Sequence, residues 1–289
     1  MNWLSDRIRL DEDILVLHGA YDALSAKLLS LTSCEAIYCG GFAATAAQFA
    51  LPDLGLVTQT EMVQIYTRMA VACDGKPLIV DADAGHGGLL NIERTIGLLA
   101  SAGVTALHIE DQVTPKRCGH LAGKDVVSRD EAVARVKTAV QCSESLGLDV
   151  IARTDAIAVH GFDEAISRAN AFVKAGAAAV FVDAPKDLDQ ITAIPSLVDG
   201  PLVFNAALTG TAPVPDDTTL KAMGYAVVLH PLTTIIAAVE AIIRAFPPRA
   251  SAQITEQGVS FARLNKILET AEYLDREKGW FQLAMAERP

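Results

Sequence analysis

The sequence has few basic residues, few cysteines and no long apolar run, and each shortage excludes a class of protein. Its 289 residues include 24 lysines and arginines against 35 aspartates and glutamates, a formal net charge of −11. Nucleic acids and anionic membranes attract basic patches, so the acidic balance argues against both as partners. No apolar run reaches the roughly 20 residues of a membrane-spanning helix. A small anionic ligand stays compatible, because a local basic site can oppose the overall charge.

The cysteines and the first residues of the chain indicate in which cellular compartment the protein is expected. The five cysteines are odd in number and scattered, without the paired spacing of a zinc site. Residues 1–7 lack the basic and then apolar layout of a secretory signal. We therefore expect a reduced, cytoplasmic protein. The hydrophobic content of 51% excludes an intrinsically disordered chain.

Short apolar, β-branched runs alternate with longer segments of helical periodicity. The runs are apolar at successive positions, as expected of parallel strands that are buried on both faces. We predict strands at Ile14–Leu17, Ala36–Tyr38, Pro77–Asp83, Ala106–Glu110, Asp149–Arg153, Ala179–Val182, Leu202–Asn205 and Ala226–Leu229. Eight strand–helix units without a break in composition predict one α/β domain, a (β/α)8 TIM barrel over residues 1–246. An open doubly wound sheet is the alternative, but no glycine-rich phosphate loop follows the first strand.

The tail, residues 247–289, begins with two prolines that end the barrel pattern. Apolar residues at every third or fourth position predict one further helix, Phe261–Lys278. This C-terminal helical extension packs either on its own barrel or on another subunit, and the periodicity alone allows both.

Acidic residues follow several of the predicted strands. Catalytic groups in such barrels lie at the C-terminal ends of strands, where Asp81, Asp83 and Glu110 are found, and Asp53 lies in the loop region after the second strand. Strand alternation would place Asp81 and Asp83 on one face. Clustered carboxylates repel unless a hard cation separates them, and oxygen donors without a Cys/His set favour Mg²⁺. The alternative is that these acids cap the following helices.

The connection between the fourth strand and the next helix, residues 111–128, is longer than the usual ~2–6 residues of such loops. We call it the lid segment, since its length would allow it to close over a site. Its residues 116–120 read Lys-Arg-Cys-Gly-His, and neighbouring cations would favour the thiolate form of Cys118. The alternative is an exposed loop with an incidental cysteine.

These motifs resemble one known family. The residues 109–113 (Ile-Glu-Asp-Gln-Val), 116–120, 51–55 (Leu-Pro-Asp-Leu-Gly), 81–83 and 152–156 (Ala-Arg-Thr-Asp-Ala) are similar to the lyase branch of the isocitrate lyase and phosphoenolpyruvate mutase superfamily. Within it, the chain looks most like 2-methylisocitrate and 2,3-dimethylmalate lyases, over about residues 14–246. The resemblance implies a homotetramer whose C-terminal helices are exchanged between subunits. It also implies Mg²⁺ as cofactor, with Mn²⁺ as an alternative.

The resemblance further implies roles for single residues. Asp53, Asp81, Asp83 and Glu110 would surround the metal. Cys118 would act as general acid, and Tyr38 and Arg153 would lie beside the reacting group. The implied substrate-binding residues are Gly40, Gly41, Lys116, Gly119, His120, Arg153, Asp183 and Asn205.

The implied reaction is a retro-aldol (Claisen-type) cleavage of a 2-hydroxy di- or tricarboxylate to a 2-oxo acid, such as pyruvate, and a carboxylate. Oxaloacetate hydrolysis to oxalate and acetate is an alternative on the same scaffold, and a catalytically inactive homologue is another. The chain departs from the family pattern at Gly40, Phe42, Asp183 and in residues 206–209, Ala-Ala-Leu-Thr. If residues 206–209 form an apolar wall of the site, an extra substrate carboxylate would be buried there without a partner, at a large cost in free energy. We therefore expect an alkyl-substituted dicarboxylate rather than a tricarboxylate such as 2-methylisocitrate.

Overall fold

The computed structural model describes residues 2–10, 13–119, 123–207, 214–246 and 260–286. Its strands are all parallel, pair in chain order, and close when β8 pairs with β1. They are β1 (Leu15–Gly19), β2 (Ile37–Cys39), β3 (Leu78–Asp81), β4 (Ala106–Glu110), β5 (Asp149–Thr154), β6 (Ala179–Val182), β7 (Leu202–Asn205) and β8 (Val227–His230). The predicted (β/α)8 barrel is confirmed, and the open sheet is excluded.

Helices surround the barrel and continue beyond it. They are α1 (Trp3–Leu10), α2 (Ala23–Ser30), α3 (Gly41–Phe49), α4 (Gln59–Ala72), α5 (Leu89–Ser101), α6 (Arg129–Glu144), α7 (Ala156–His160), α8 (Phe162–Lys174), α9 (Leu188–Leu197), α10 (Asp217–Met223), α11 (Thr233–Ala245), α12 (Phe261–Ile267) and α13 (Thr270–Ala286). The sequence did not predict α1, α3 or α7, because each is too short to show a clear periodicity. Within the described residues, no helix is both long and apolar enough to cross a membrane.

The barrel interior is closed at the N-terminal end of the strands. Inward-facing side chains such as Leu17, Ile79 and Phe181 pack into one buried cluster. Leu4 of α1 joins that cluster, and its backbone N–H donates to Asp149 Oδ2 over 2.8 Å. The opposite, C-terminal end of the strands is therefore where polar side chains collect.

Aspartates cap some of the helices, but not the helices that follow β2 and β3. Asp22, Asp187 and Asp216 accept a backbone N–H in the first turns of α2, α9 and α10. In contrast, the N-cap residues of α3, α4, α5 and α6 are Gly40, Thr58, Gly88 and Ser128. The acids Asp53, Asp81, Asp83 and Glu110 are thus not helix caps, which removes that alternative.

Strand β3 is shorter than predicted. It ends at Asp81 rather than Asp83, and Asp83 adopts a left-handed backbone conformation with φ of +48°. The prediction that strand alternation places both side chains on one face is therefore wrong. They are neighbours because the chain turns, and the Asp83 N–H donates to Asp81 Oδ1 over 2.9 Å.

The C-terminal extension forms two helices instead of the one predicted. The break falls at Glu269, whose φ of +52° is left-handed and ends the helical run. Phe261 and Leu264 of α12, followed by Leu268, pack on the barrel in a cluster that includes Leu232. Exchange of the extension between subunits stays a prediction, as does the division of the chain at residue 246.

Candidate active site

A cavity of about 50 Å³ lies at the C-terminal ends of the strands, under the lid segment. Most of the predicted site residues line it: Tyr38, Gly40, Gly41, Asp53, Asp81, Glu110, Lys116, Cys118, Gly119, Arg153 and Asn205. Asp83 and Asp183 lie behind them, paired with Lys116 and Arg153. His120 lies outside the described residues. A larger cavity of about 730 Å³ separates the lid segment from α13 and shares few residues with the site.

Lys116 lies between two of the predicted metal ligands. Its Nζ atom is 2.6 Å from Asp53 Oδ1 and 2.7 Å from Asp83 Oδ1, with all three side chains buried or nearly so. Burial opposes the charged form of Lys116, but the carboxylates outweigh it and raise its pKa well above the ordinary value. Burial also raises the pKa of Asp83 to about 7. The predicted substrate-binding lysine is therefore, in this structure, a counter-ion to the carboxylates.

The acidic residues supply the type of ligand that a divalent cation prefers, but their side chains are not arranged around a common point. Among the described residues, no group of three or more His, Cys, Asp or Glu side chains is arranged to hold a metal ion. The donors are nevertheless all carboxylate oxygens, and Glu110 Oε1 is buried without a hydrogen-bond partner in the described part of the chain. Burial raises the pKa of Glu110 well above its ordinary value, with Arg153 opposing the shift. These residues fit a hard cation such as Mg²⁺, which would supply the missing positive charge.

Arg153 of β5 is held by acids on several sides. Its Nε and Nη2 atoms lie 2.9 and 3.0 Å from the two carboxylate oxygens of Asp155, a bidentate pair. Nη2 is also 2.9 Å from Asp183 Oδ2, and Nε is 3.4 Å from Glu110 Oε2. The ring of Phe181 lies beneath the guanidinium, 5.1 Å from its central carbon. Asp183 thus positions Arg153, whereas the sequence predicted direct contact with substrate.

The backbone of the lid segment lies directly over this arginine. A Cβ atom added to Gly119 would be 2.2 Å from Arg153 Nη2 and 2.0 Å from Asp183 Oδ2, so any larger residue here would have to displace that ion pair. The preceding residue, Cys118, is buried, and its N–H donates to the Asp53 carbonyl over 3.0 Å. The part of the lid segment before residue 120 therefore lies over the cavity, and Cys118 lines it.

His108 is a site residue that the sequence analysis missed. Tyr38 Oη is 2.8 Å from His108 Nε2, and the other ring nitrogen, Nδ1, is 3.5 Å from Asp81 Oδ1. His108 is fully buried, and burial lowers its pKa. The signal was available, because His108 precedes Glu110 by two positions in β4 and so lies on the same face of the strand.

Lys124 is a second residue that the sequence did not indicate. Its Nζ atom donates to the Gly119 carbonyl and lies 3.1 Å from Asp155 Oδ1, and its side chain is almost fully buried. It joins two parts of the lid segment to the carboxylate that holds Arg153.

We predict that Lys124→Met loosens the described parts of the lid segment. A hydrogen bond to a charged group contributes about 1.5–3 kcal/mol, so amide exchange at 112–119 and 123–127 should speed up by about tenfold or more. Hydrogen exchange with mass spectrometry measures this. Lys137→Met, the same change on the exposed side of α6, should leave those rates unchanged. Equal protection in both variants would show that Lys124 does not hold the segment.

Comparisons with known proteins cover almost the whole chain. A family model described as phosphoenolpyruvate phosphomutase matches residues 6–247. The chain is 33% identical to 2,3-dimethylmalate lyase of Eubacterium barkeri, over 88% of this chain and 89% of that one. It is 36% identical to 2-methylisocitrate lyase of Halalkalibacterium halodurans, over 95% and 91%. A solved structure of oxaloacetate acetylhydrolase, in complex with the inhibitor 3,3-difluorooxalacetate, matches with a TM-score of 0.80 at 29% identity, covering 96% of this chain and 95% of that one.

Proposed function

Because the chain belongs to the phosphoenolpyruvate mutase and isocitrate lyase superfamily, we propose that it is a carbon–carbon lyase acting on a 2-hydroxy acid with a second carboxylate. One observation supports this most directly. Cys118 and Arg153 line the same small cavity, together with acidic and apolar side chains. A proton donor and a carboxylate-binding cation are thus available to one small molecule.

Substrate carboxylates would bind at the basic side of the cavity. Asp155 and Asp183 occupy the Nε and Nη2 atoms of Arg153, so a substrate carboxylate would bind at Nη1. Asn205 adds a side-chain amide at the end of β7: its Nδ2 atom, 3.5 Å from Asp183 Oδ1, would donate to a substrate carboxylate, and its Oδ1 atom, unpartnered in the described part of the chain, could accept from a substrate hydroxyl. A Mg²⁺ ion held by Asp53, Asp81, Asp83 and Glu110 would oppose the negative charge that develops on the substrate's oxygens, and Mn²⁺ is the alternative ion.

Bond cleavage begins with removal of the hydroxyl proton. Burial raises the pKa of Tyr38 well above its ordinary value, so its resting form is the neutral phenol. It can accept a proton only by passing its own to His108 Nε2, 2.8 Å away. Burial lowers the pKa of His108 and so keeps its ring neutral, and in the tautomer with the hydrogen on Nδ1, which faces Asp81, Nε2 is the atom that can accept.

The carbon–carbon bond then breaks, and its electron pair stays on the carbon that leaves with the second carboxylate. The hydroxyl carbon becomes the ketone of a 2-oxo acid such as pyruvate. Cys118 donates its thiol proton to the carbanion carbon and is left as a thiolate. After the products leave, the thiolate takes up a proton from solvent, and His108 gives up through Tyr38 the proton that the substrate hydroxyl lost. The part of the lid segment that lies over the cavity keeps bulk water from competing for that carbon.

The proposed substrate is an alkyl-substituted dicarboxylate of the 2,3-dimethylmalate type. Ala207, Leu232 and Phe261 line the cavity with apolar surface, where a third carboxylate would lose its hydration without gaining a partner. The neighbouring Leu208 and Thr209, which belong to the same departure from the family pattern, lie outside the described residues.

Hydrolysis of oxaloacetate is the second candidate. The match to a structure of oxaloacetate acetylhydrolase in complex with 3,3-difluorooxalacetate, at a TM-score of 0.80 and 29% identity, favours it. In that reaction water would replace the hydroxyl as the group that is deprotonated.

We further propose that the enzyme is a homotetramer and that α13 packs on another subunit. Trp280, Phe281, Leu283 and Met285 of this helix are each more than half exposed. Such a run of large apolar side chains is unusual on a monomer's surface and is typical of an interface.

The reaction is tested by release of 2-oxo acid in the presence of Mg²⁺, coupled to lactate dehydrogenase. The panel contains 2,3-dimethylmalate, other alkyl malates, 2-methylisocitrate, isocitrate and oxaloacetate. We expect kcat/KM for 2,3-dimethylmalate to exceed that for 2-methylisocitrate by about tenfold or more. EDTA should abolish turnover.

Other outcomes would change the assignment. A greater kcat/KM for 2-methylisocitrate would refute the alkyl preference, and oxalate and acetate from oxaloacetate alone would make the protein a hydrolase. If nothing turns over and Mg²⁺ with oxalate gives no joint thermal stabilisation, the chain is an inactive homologue.

A further inference from the structure

We infer that Phe261, which belongs to the C-terminal extension, forms with Phe42 and Leu232 an apolar subsite for a small alkyl group on the substrate carbon that Cys118 protonates. This inference rests on the proposed lyase function for the identity of that carbon. It assigns a specificity role to a residue outside the barrel, far along the chain from every motif.

Phe42 and Phe261 form one aromatic wall of the cavity. Phe42 lies in the first turn of α3 and Phe261 is the first residue of α12. Their ring centroids are 5.0 Å apart with the planes tilted by 45°, and each side chain is only 8% exposed. Aromatic pairs at this distance are held in a defined geometry, so the wall has a fixed shape.

Cys118 belongs to the same packed group. Its side chain lies in one buried cluster with Phe42, Phe261, Leu232 and Ile235. A substituent on a carbon within reach of the thiol must therefore lie against these side chains, because the charged side of the cavity is taken by the carboxylate-binding groups.

The charged residues that precede Cys118 in the lid segment are engaged elsewhere. Lys116 pairs with Asp53, and Arg117 donates to Glu277 of α13. A charged substituent beside the thiol would therefore have to compete with these existing ion pairs. The described residues of this wall thus favour an alkyl group over a carboxymethyl group.

The subsite also limits the size of that group. The apolar wall of the cavity is two phenyl rings in direct contact, with their centroids 5.0 Å apart. A methyl group would fit beside the rings, whereas a propyl group would have to displace one of them.

The test measures the preference between 3-methyl- and 3-propyl-substituted 2-hydroxydicarboxylates, in the full-length enzyme with Mg²⁺. The wild type should prefer the methyl compound, and Phe261→Ala should shift the ratio of kcat/KM values toward the propyl compound by about tenfold or more, the range for one or more methylenes in an apolar pocket. Phe261→Leu keeps an apolar side chain if alanine impairs folding, and should give a smaller shift. Phe49→Ala, the same change at the far end of α3, should leave the ratio unchanged.

Binding provides a readout that does not depend on turnover. In a Cys118→Ser background, the ratio of the two dissociation constants, measured by titration calorimetry, should change in the same direction with Phe261→Ala. If the wild type turns over neither compound but this ratio shifts, the subsite is supported and the proposed reaction fails. If turnover occurs and neither ratio shifts, the subsite is refuted while the reaction stands. If the wild type binds neither compound, the subsite is also refuted.

Discussion

Replacing Cys118 with serine is expected to lower kcat by about 10²–10⁴-fold, the range that a positioned general acid contributes. A serine hydroxyl is a far weaker acid than a thiol, so protonation of the carbanion carbon becomes slow. KM should change little, because the carboxylates bind at Arg153 and Asn205. The measurement is steady-state turnover of the best substrate found in the 2-oxo acid assay.

A second cysteine provides the matched control. Cys34 is partly buried and lies at the other end of β2 from the site, so Cys34→Ser should keep full turnover. Should Cys118→Ser retain kcat within a few fold of the wild type, another group protonates the carbon. A rise in KM with kcat unchanged would instead mean that Cys118 serves only to hold substrate.

The acids at the strand ends could be predicted because the (β/α)8 barrel fixes where strand ends meet. Asp81 and Glu110 each end an apolar run, so knowing the barrel is enough to place them at one rim. Asp83 reaches the same place for a different reason, since the chain leaves the strand and turns back. Its position depends on a local backbone conformation that alternation of side chains does not indicate.

The partners of the site residues could not be predicted in the same way. Lys116 was expected at a substrate and is bonded to Asp53 and Asp83, because the buried carboxylates must be neutralised by whatever cation is nearest. Phe261 is separated from Phe42 by more than two hundred positions, and no periodicity connects them. Long-range contacts of this kind follow from how the extension packs, which the sequence pattern leaves open.

Arg153→Lys is expected to lower kcat/KM by about a thousandfold, because lysine keeps the charge but loses the planar fork that meets both Asp155 and a substrate carboxylate. The folded state should also lose about 3 kcal/mol, since breaking a buried pair leaves Asp155, Asp183 and Glu110 incompletely compensated. Arg129→Lys is the matched control. Arg129 pairs with Glu164 at the surface, so both quantities should stay near the wild-type values.

The pH dependence of stability separates the loss of this ion pair from a general packing defect. Burial opposes ionisation of Asp155, but Arg153 and Lys124 outweigh it and hold its pKa below the ordinary value. A carboxyl group with a lowered folded-state pKa stabilises the protein fully above its unfolded pKa of about 3.9, and this contribution is lost as the pH falls toward the folded-state value. The difference in Tm between wild type and Arg153→Lys should therefore be largest near pH 7 and shrink below pH 4. A difference that stays constant over this range would show that lysine disturbs the packing over Phe181 instead of the pairing with Asp155.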